Sequence, residues 1–412
     1  MKKIFLNIIL VAFGYFSASS QGCLPEGITF ETQAQIDSFQ INYPGCTVIE
    51  GDVTIWGSWD ITNLTALSSV SAVGGNFTIN DSHALDDFTG LDNLQSIGGN
   101  VLIKNNINQI SFAGLQNLTT IGGNFDTYQY YNTTLTSFQG LNSLITIGGS
   151  FSVTTYSVLN NFLGLDNLTS IGGAFQVSYT SILNFSGLDS LISIGGNLSI
   201  SGNLYLENFS GLQRLSALGS HLYIHGNPRL TNIEGLINLL SIGGNINIYA
   251  NDSLVSLYGI DNISAGTINQ LSIYSNHSLS TCEVKSVCDY LAVPQASVYI
   301  NDNSPDCSSI EEVKAACDWL SKNDFISNHE LSIYPNPSDG QFTFEFALQQ
   351  QSMVNLVIHN SLGQLVAVLA NGLYPSGLHH LSWNPVNQPP GIYCLRHHAG
   401  AISDVQKLLI IR

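Results

Sequence analysis

Apolar positions recur along this chain at a fixed interval. Within residues 187–209 they fall at Leu188, Leu191, Ile194, Leu198, Ile200, Leu206 and Phe209. The phrase that carries most of them, GLDSLISIGGNLSI, returns as GLDNLQSIGGNVLI, GLQNLTTIGGNF, GLNSLITIGGSF, GLDNLTSIGGAF and GLINLLSIGGNINI. Its opening glycine stands at Gly90, Gly114, Gly140, Gly164, Gly187, Gly211, Gly235 and Gly259, at spacings of 24, 26, 24, 23, 24, 24 and 24 residues. A period in this range marks a solenoid, in which each coil packs on its neighbours. Leu198 and Ile200 alternate with Ser199, so they share one face of a short strand. The Gly195–Gly196 pair just before that strand suits a tight corner. One coil buries too few apolar side chains to offset the entropy of ordering its backbone, so only stacking makes it fold.

A second pattern follows each strand. Leu198, Ile200, Asn203 and Leu206 read L-x-I-x-x-N-x-x-L, and the frame repeats at Leu222–Ile224–Asn227–Leu230, at Ile246–Ile248–Asn251–Leu254 and at Leu271–Ile273–Asn276–Leu279. A buried Asn at a recurring corner can join the backbones of adjacent coils as an asparagine ladder. The frame resembles the leucine-rich repeat, and G-L-x-x-L-x-x-I-G-G resembles the receptor L-domain type of bacterial surface proteins, over about residues 50–317. The resemblance implies a mainly β, right-handed leucine-rich-repeat-like solenoid of about eleven coils of ~24 residues. The coils at Phe125, Phe151 and Phe175 depart from the frame, because Tyr130, Tyr156 and Thr180 stand where Asn is expected.

The ends of the solenoid have a different composition. Residues 1–20 carry Lys2 and Lys3, an apolar run from Ile4 to Phe16 and then small residues, the layout of a secretory signal cleaved before Gln21. No other stretch is long and apolar enough to span a bilayer. Residues 21–49 form an N-terminal cap with a short helix expected near Glu31 to Phe39. Cys23 and Cys46 bracket this cap, and in an exported chain they are expected to pair. The first solenoid strand is expected at Val53 to Ile55, and the coils run through residues 50–281. Residues 282–322 read as a helical C-terminal cap, with helices over 282–292 and 309–322. The second helix opens on the capping box Ser309-Ile310-Glu311-Glu312. Cys282, Cys288, Cys307 and Cys317 allow three pairings here, of which Cys282–Cys307 with Cys288–Cys317 is favoured. A metal site is disfavoured, since no CxxC occurs.

Residues 323–330 are polar and read as a linker. From residue 331 to 412 the period is lost and the chain alternates like a small Ig-like antiparallel sandwich, with strands near 342–346, 354–359, 377–383 and 392–397. This stretch holds Tyr334-Pro335-Asn336-Pro337 with Gly340, then Asn360-Ser361-Leu362-Gly363-Gln364, Gly391-Ile392-Tyr393 and a terminal Lys407-Leu408-Leu409-Ile410. The set resembles the type A C-terminal sorting domain of the type IX secretion system. That resemblance implies passage through the periplasm and outer membrane, handling by the type IX machinery, and removal of this domain. It also implies attachment of the passenger to surface lipopolysaccharide, for a cell-surface or extracellular location. Cys394, the odd cysteine, reads as a small apolar strand residue.

Charge narrows the list of partners. The formal net charge is −18. Residues 21–322 hold six basic and 24 acidic residues, and Lys104 is the only Lys or Arg between Ile4 and Gln213. Nucleic acids, anionic glycans and acidic headgroups are therefore poor partners, since phosphate neutralisation needs cations. The polar surface is built from Asn, Ser, Thr and Tyr instead. Sequons such as those at Asn117 and Asn184 are what an Asn- and Ser/Thr-rich repeat produces by chance.

No G-x-S-x-G, H-E-x-x-H, P-loop or EF-hand spacing is present. Among residues 21–322 only His83, His221, His225 and His277 are histidines. His221 and His225 flank one strand and read as exposed surface residues. Asp92, Asp166, Asp189 and Asp261 recur at one coil position, where Asp beside Gly at a corner reads as a turn cap. No catalytic residue, cofactor or metal is called. The remaining signal is aromatic. The outward row after each second inward residue holds Trp56, Asn80, Lys104, Tyr128, Thr154, Ser178, Ser201, His225, Tyr249 and Tyr274. Trp59, Tyr130, Tyr131, Tyr156, Tyr179 and Tyr223 lie nearby, and the irregular coils at 128–179 are the favoured patch. The sequence thus points to a non-enzymatic surface protein that binds a protein or neutral glycan. A polysaccharide-acting β-helix enzyme and a purely structural surface-layer protein are the alternatives.

Overall fold

The computed structural model describes residues 22–57, 59–128, 132–154, 158–323, 331–348, 351–360, 364–399 and 402–411. The expected signal at residues 1–20, Tyr130, Tyr131, Tyr156, Gly363 and all of the linker but its first residue lie outside them. The chain divides into two compact units, one ending at Ala316 and one beginning at Cys317.

The first unit is a parallel β-solenoid whose coils each contribute one strand to a 12-stranded sheet, with ten of them also contributing to a 10-stranded sheet. The longer sheet runs from Ile28–Phe30 through Val53–Trp56 to Val298–Asn301. The shorter one consists of two-residue strands from Gly22–Cys23 to Ser241–Ile242. Equivalent residues of successive coils are direct cross-strand partners, as in Phe125↔Phe151↔Phe175↔Leu198↔Leu222. The register therefore stacks each side chain on its counterpart. Inside, Phe88, Phe112, Phe138, Phe162, Phe185 and Phe209 form a fully buried column with ring centroids 5.1–5.7 Å apart. Each such aromatic pair adds about 0.5–1.5 kcal/mol beyond its burial.

Two glycine columns follow from the stacking, since at both a Cβ would collide with the backbone one coil back, and most of the opening glycines add a left-handed φ. The opening glycine takes a left-handed backbone, with φ of +100° at Gly187, a region that an L side chain enters at a cost. The first glycine of each Gly-Gly pair has no such φ. A Cβ on Gly195 would collide with the backbone carbonyl of Gly172, one coil back. The pair thus answers a close approach between coils rather than a sharp corner.

The asparagine ladder is continuous over the later coils. Asn227 Oδ1 accepts from the backbone N–H of Asn203 (3.1 Å) and from its side chain (3.2 Å). The Asn227 side chain in turn donates to Ile200 O (3.1 Å) and to Asn251 Oδ1 (3.0 Å). Asn251, Asn276 and Asn303 repeat the pattern towards the C-terminal cap. All of the column from Asn203 to Asn276 is fully buried.

Two of the three expected departures are changed by the structure. In the coil of 26 residues, the two extra residues displace the asparagine to Asn132, which is buried and donates to Asn106 O (2.8 Å) and Gln109 O (2.7 Å). Thr180 joins the ladder through its backbone N–H (3.0 Å) and its hydroxyl (2.7 Å), both donated to Asn203 Oδ1.

At the N-terminal end the sheet starts one strand earlier than the sequence suggested, because Ile28–Phe30 pairs with Val53–Ile55. The single helix expected there is two short ones, Gln33–Asp37 and Phe39–Asn42, broken at Ser38. Thr32 and Gln35 form a capping box on the first. A disulfide joins Cys23 to Cys46 and another joins Cys282 to Cys307, while Cys288 and Cys317 are also disulfide-bonded. The C-terminal helices are Lys285–Leu291 and Ile310–Asn323. Glu312 reaches back to the N–H of Ser308 (2.9 Å) rather than Ser309, while Ser309 Oγ accepts from Glu312 N (3.2 Å).

The second unit holds a 3-stranded and a 4-stranded antiparallel sheet around Phe342, Phe344, Phe346, Val354, Leu356, Ile358, Leu395 and Leu408. Beyond the four expected strands it contains Ser332–Tyr334, Leu365–Tyr374 and Ile402–Ile410.

Asn227→Ala removes an acceptor from Asn203 N and a donor from Ile200 O in a dry interior. It is expected to cost about 2–4 kcal/mol of stability, since orphaned buried polar groups cost about 1–3 kcal/mol each. Urea unfolding followed by circular dichroism measures this.

Candidate functional site

The longer sheet presents two rows of side chains away from the core, from the second and fourth residues of each strand. The fourth-residue row runs Trp56↔Asn80↔Lys104↔Tyr128↔Thr154↔Ser178↔Ser201↔His225↔Tyr249↔Tyr274↔Asn301. The second-residue row runs Thr54↔Thr78↔Leu102↔Asp126↔Ser152↔Gln176↔Ser199↔Tyr223↔Asn247↔Ser272↔Tyr299 through the same pairings. Lys104 and Asp126 are the only Lys, Arg, Asp or Glu in either row. Burial pushes the Asp126 carboxyl up from its ordinary range.

The aromatic residues fall into three places. At the C-terminal coils His225, Tyr249 and Tyr274 stack face to face, with centroids 4.6 and 4.7 Å apart and planes within 3° of parallel. Tyr299 closes this stack edge-on at 5.4 Å. Burial lowers the His225 imidazole pKa, so the ring stays neutral at physiological pH. At the N-terminal coils Trp56 and Trp59 are both exposed, with Trp59 4.5 Å from the His83 ring. Between these ends, Tyr128 is half-buried in the fourth-residue row, and Tyr179 lies one residue beyond that row with φ of +56°. Gly202 and Gly226 hold the same left-handed position on the next coils, so the bulky Tyr179 is strained there. A Cβ on Gly202 would meet the Tyr179 ring. Tyr128 and Tyr179 are thus not brought together, and the assembled aromatic groups are at the two ends. Tyr223 is half-buried beside the His221 ring at 5.4 Å.

The histidines at 221 and 225 are not free surface residues. His221 Nδ1 accepts from Asn245 N (2.8 Å), and Asn197 Oδ1 accepts from His221 N (3.1 Å). His221 therefore fills the place that Asn, Ser or Asp occupies after the Gly-Gly pair on other coils, as in Asn100 N to Asn76 Oδ1 (2.8 Å). Sequence reasoning missed this outer ladder, although its residue recurs after each G-G.

The recurring aspartates act on their own corners. The N–H groups of Gly90, Gly164, Gly187 and Gly259 donate to Asp92, Asp166, Asp189 and Asp261 at 2.9–3.1 Å. Gln116, Asn142 and Gln213 accept the equivalent bond on other coils, so the role needs an acceptor and no charge. Gln116 Nε2 also donates to Asp92 (2.6 Å), and this bond holds the Asp92 carboxyl below its usual range. Burial raises that of Asp261. Among the described residues no three His, Cys, Asp or Glu side chains gather where they could hold a metal ion.

In the second unit the proline–asparagine motif is a clamp. Asn336 donates from Nδ2 to Lys407 O (2.7 Å) and accepts at Oδ1 from Leu409 N (3.0 Å). It thereby takes the place of a neighbouring strand for the terminal segment. Ser338 continues the contact through Ser338 N to Leu409 O (3.0 Å) and Ile411 N to Ser338 O (2.9 Å). Pro335 and Pro337 both follow cis peptide bonds. Gly391, with φ of +153°, opens the strand that carries Tyr393, whose hydroxyl donates to Pro389 O (2.9 Å). Gly340 N donates to Ser338 Oγ (3.1 Å) within the motif's turn.

Compared with known families, residues 332–411 match the secretion system C-terminal sorting domain, and residues 45–108 match the receptor L domain. No curated protein matches the chain. The chain therefore joins a solenoid of receptor L-domain type to a type IX C-terminal sorting domain. The later coils, beyond the matched segment, continue the same strand register to Asn301. The sorting domain directs the protein through the outer membrane to the cell surface or the extracellular space. No helix among the described residues is long and apolar enough to cross a membrane.

Asp261→Asn keeps the acceptor for Gly259 N and removes the buried charge. Because the folded-state pKa of Asp261 is raised, its penalty grows as pH rises through the carboxylate range. The variant is expected to melt higher than the parent at pH 7, with the advantage vanishing below about pH 3; differential scanning calorimetry at the two pH values checks this. Asn336→Ala deletes both bonds to the terminal strand and is expected to lower the stability of the sorting domain by about 1–2 kcal/mol. Faster proteolysis at residues 407–411 reports it.

Proposed function

We propose that the solenoid is a non-enzymatic binding or adhesion module for an uncharged ligand, a neutral glycan or a protein, displayed on the bacterial surface. On this reading the type IX machinery removes the sorting domain and anchors the solenoid to lipopolysaccharide. The observation that carries the proposal is the outward face of the longer sheet. Over eleven successive strands its two rows carry one Lys, one Asp and a preponderance of Asn, Ser, Thr, Tyr and Trp. Such a face offers hydrogen bonds and aromatic area on a rigid backbone, which lowers the ordering cost of association. Its acidic surroundings repel polyanions. The recurring aspartates are engaged in capping glycine N–H groups, which weighs against the enzyme alternative, since glycan cleavage needs free paired carboxylates.

Purified secreted protein on glycan and protein arrays is expected to show saturable binding. Thr78→Arg or Ser199→Arg, each placing a long cation on one half of the face, is expected to weaken that binding at least tenfold with the fold retained. Absence of binding, or binding indifferent to both changes, would favour the structural surface-layer role.

A further inference from the structure

The two aromatic groups on the longer sheet are not equivalent. His225, Tyr249 and Tyr274 turn their facing ring planes on one another, and planes within 3° with centroids 4.6–4.7 Å apart leave no room for a guest between them. Trp56 and Trp59 differ. They are 54% and 70% exposed, more than any other described aromatic side chain, and only Trp59 has a ring neighbour, the tilted His83. Free indole faces of this kind are an unusual surface to leave in water.

Each tryptophan also adjoins an unsatisfied polar atom. Asn80, the direct cross-strand partner of Trp56, is nine-tenths buried, and its Oδ1 has no hydrogen-bond partner. Nδ1 of His83, in the ring that packs against Trp59, has none either. Buried polar atoms without partners call for a hydrogen-bond partner, as a rule a hydroxyl or a water. Lys104 follows Asn80 in the same row and is the only cation of the face. Apolar ring faces beside buried polar atoms that lack partners, with a lone donor cation and no cluster of positive charge, fit a neutral polyhydroxylated ligand. A pyranose offers an apolar C–H face to stack and a rim of hydroxyls that both donate and accept.

We propose that Trp56 and Trp59, with Asn80 and Lys104, form a subsite for a neutral pyranose unit of a glycan chain on the N-terminal coils. This rests on the reading of the longer sheet as a binding face, and goes beyond it in naming the place and the ligand class. The tyrosine stack at the other end is a structural brace.

The secreted protein is tested by affinity electrophoresis in gels containing laminarin, xyloglucan, galactomannan or dextran, with heparin as the anionic comparison. Retardation by at least one neutral polysaccharide and none by heparin is expected. Trp56→Ala and Trp59→Ala are each expected to weaken it about tenfold or more, whereas the double variant Tyr249→Ala/Tyr274→Ala retains it. Both tryptophans are exposed, so the melting temperature of their variants should match the parent. A Trp319→Phe/Trp383→Phe variant, whose remaining tryptophans are 56 and 59, should show a saturable fluorescence change with the same polysaccharide. Retardation that survives both Trp→Ala changes, or that the tyrosine variant abolishes, overturns the subsite while leaving the binding face intact. Saturable binding of a protein with no retardation by the four polysaccharides overturns the glycan assignment alone. No binding to any probe overturns both readings.

Discussion

The structure depends on a strict constraint, that the strand residues of each coil sit on their own counterparts one coil away. Parallel pairing without slippage brings like onto like, as in Phe125↔Phe151↔Phe175. A column is stable only if its side chain interacts well with copies of itself. Phenylalanine does so by stacking and asparagine by donating to the next asparagine while accepting from the previous one. Glycine does so by letting two backbones approach more closely than any Cβ permits. Like charges directly across a ladder repel, so charge is driven from these columns. The low content of charged residues, 10% of the chain, accords with this constraint.

The same constraint shapes the outer face. With the inner columns fixed, the second and fourth strand residues of the longer sheet are free to vary. Their contents change from coil to coil, from Trp56 and Lys104 at one end to a stacked His225–Tyr249–Tyr274 at the other. A uniform frame thus presents a non-uniform surface. Some sites of left-handed backbone and incomplete pairing lie on or beside that surface. Tyr179 holds a left-handed backbone that Gly202 and Gly226 hold on the next two coils and Asp81, Asn105, Ala250 and Ser275 hold on others, and Asn80 and His83 keep unpaired atoms next to the exposed tryptophans.

Much of the solenoid was legible in the sequence because its rules are one-dimensional. A fixed period with an apolar alternation specifies strand register, and Asn203, Asn227, Asn251 and Asn276 could be placed in a ladder from spacing alone. The limits lay where a local change was compensated elsewhere. The longer coil moved its asparagine two residues along, to Asn132, and the rigid frame pointed instead to Tyr130. His221 replaces an amide in the outer ladder by using a ring nitrogen, an equivalence of geometry that residue type hides. The Gly-Gly pair was visible, but its cause was not, since a contact with the preceding coil is invisible in a single coil. For the aromatic face, the row was legible, whereas which rings cover each other and which stay open depends on side-chain torsions.

The buried asparagine column holds the coils together, and native-state hydrogen exchange of the intact chain probes that coupling. The backbone N–H groups of Asn203, Asn227 and Asn251 donate to side-chain oxygens of the next coil at 3.1–3.2 Å in a fully buried column. They are expected to exchange only with global unfolding, together with the strand amides of the longer sheet. Exchange of these three amides on the timescale of the exposed corners, while the strands stay protected, would contradict it.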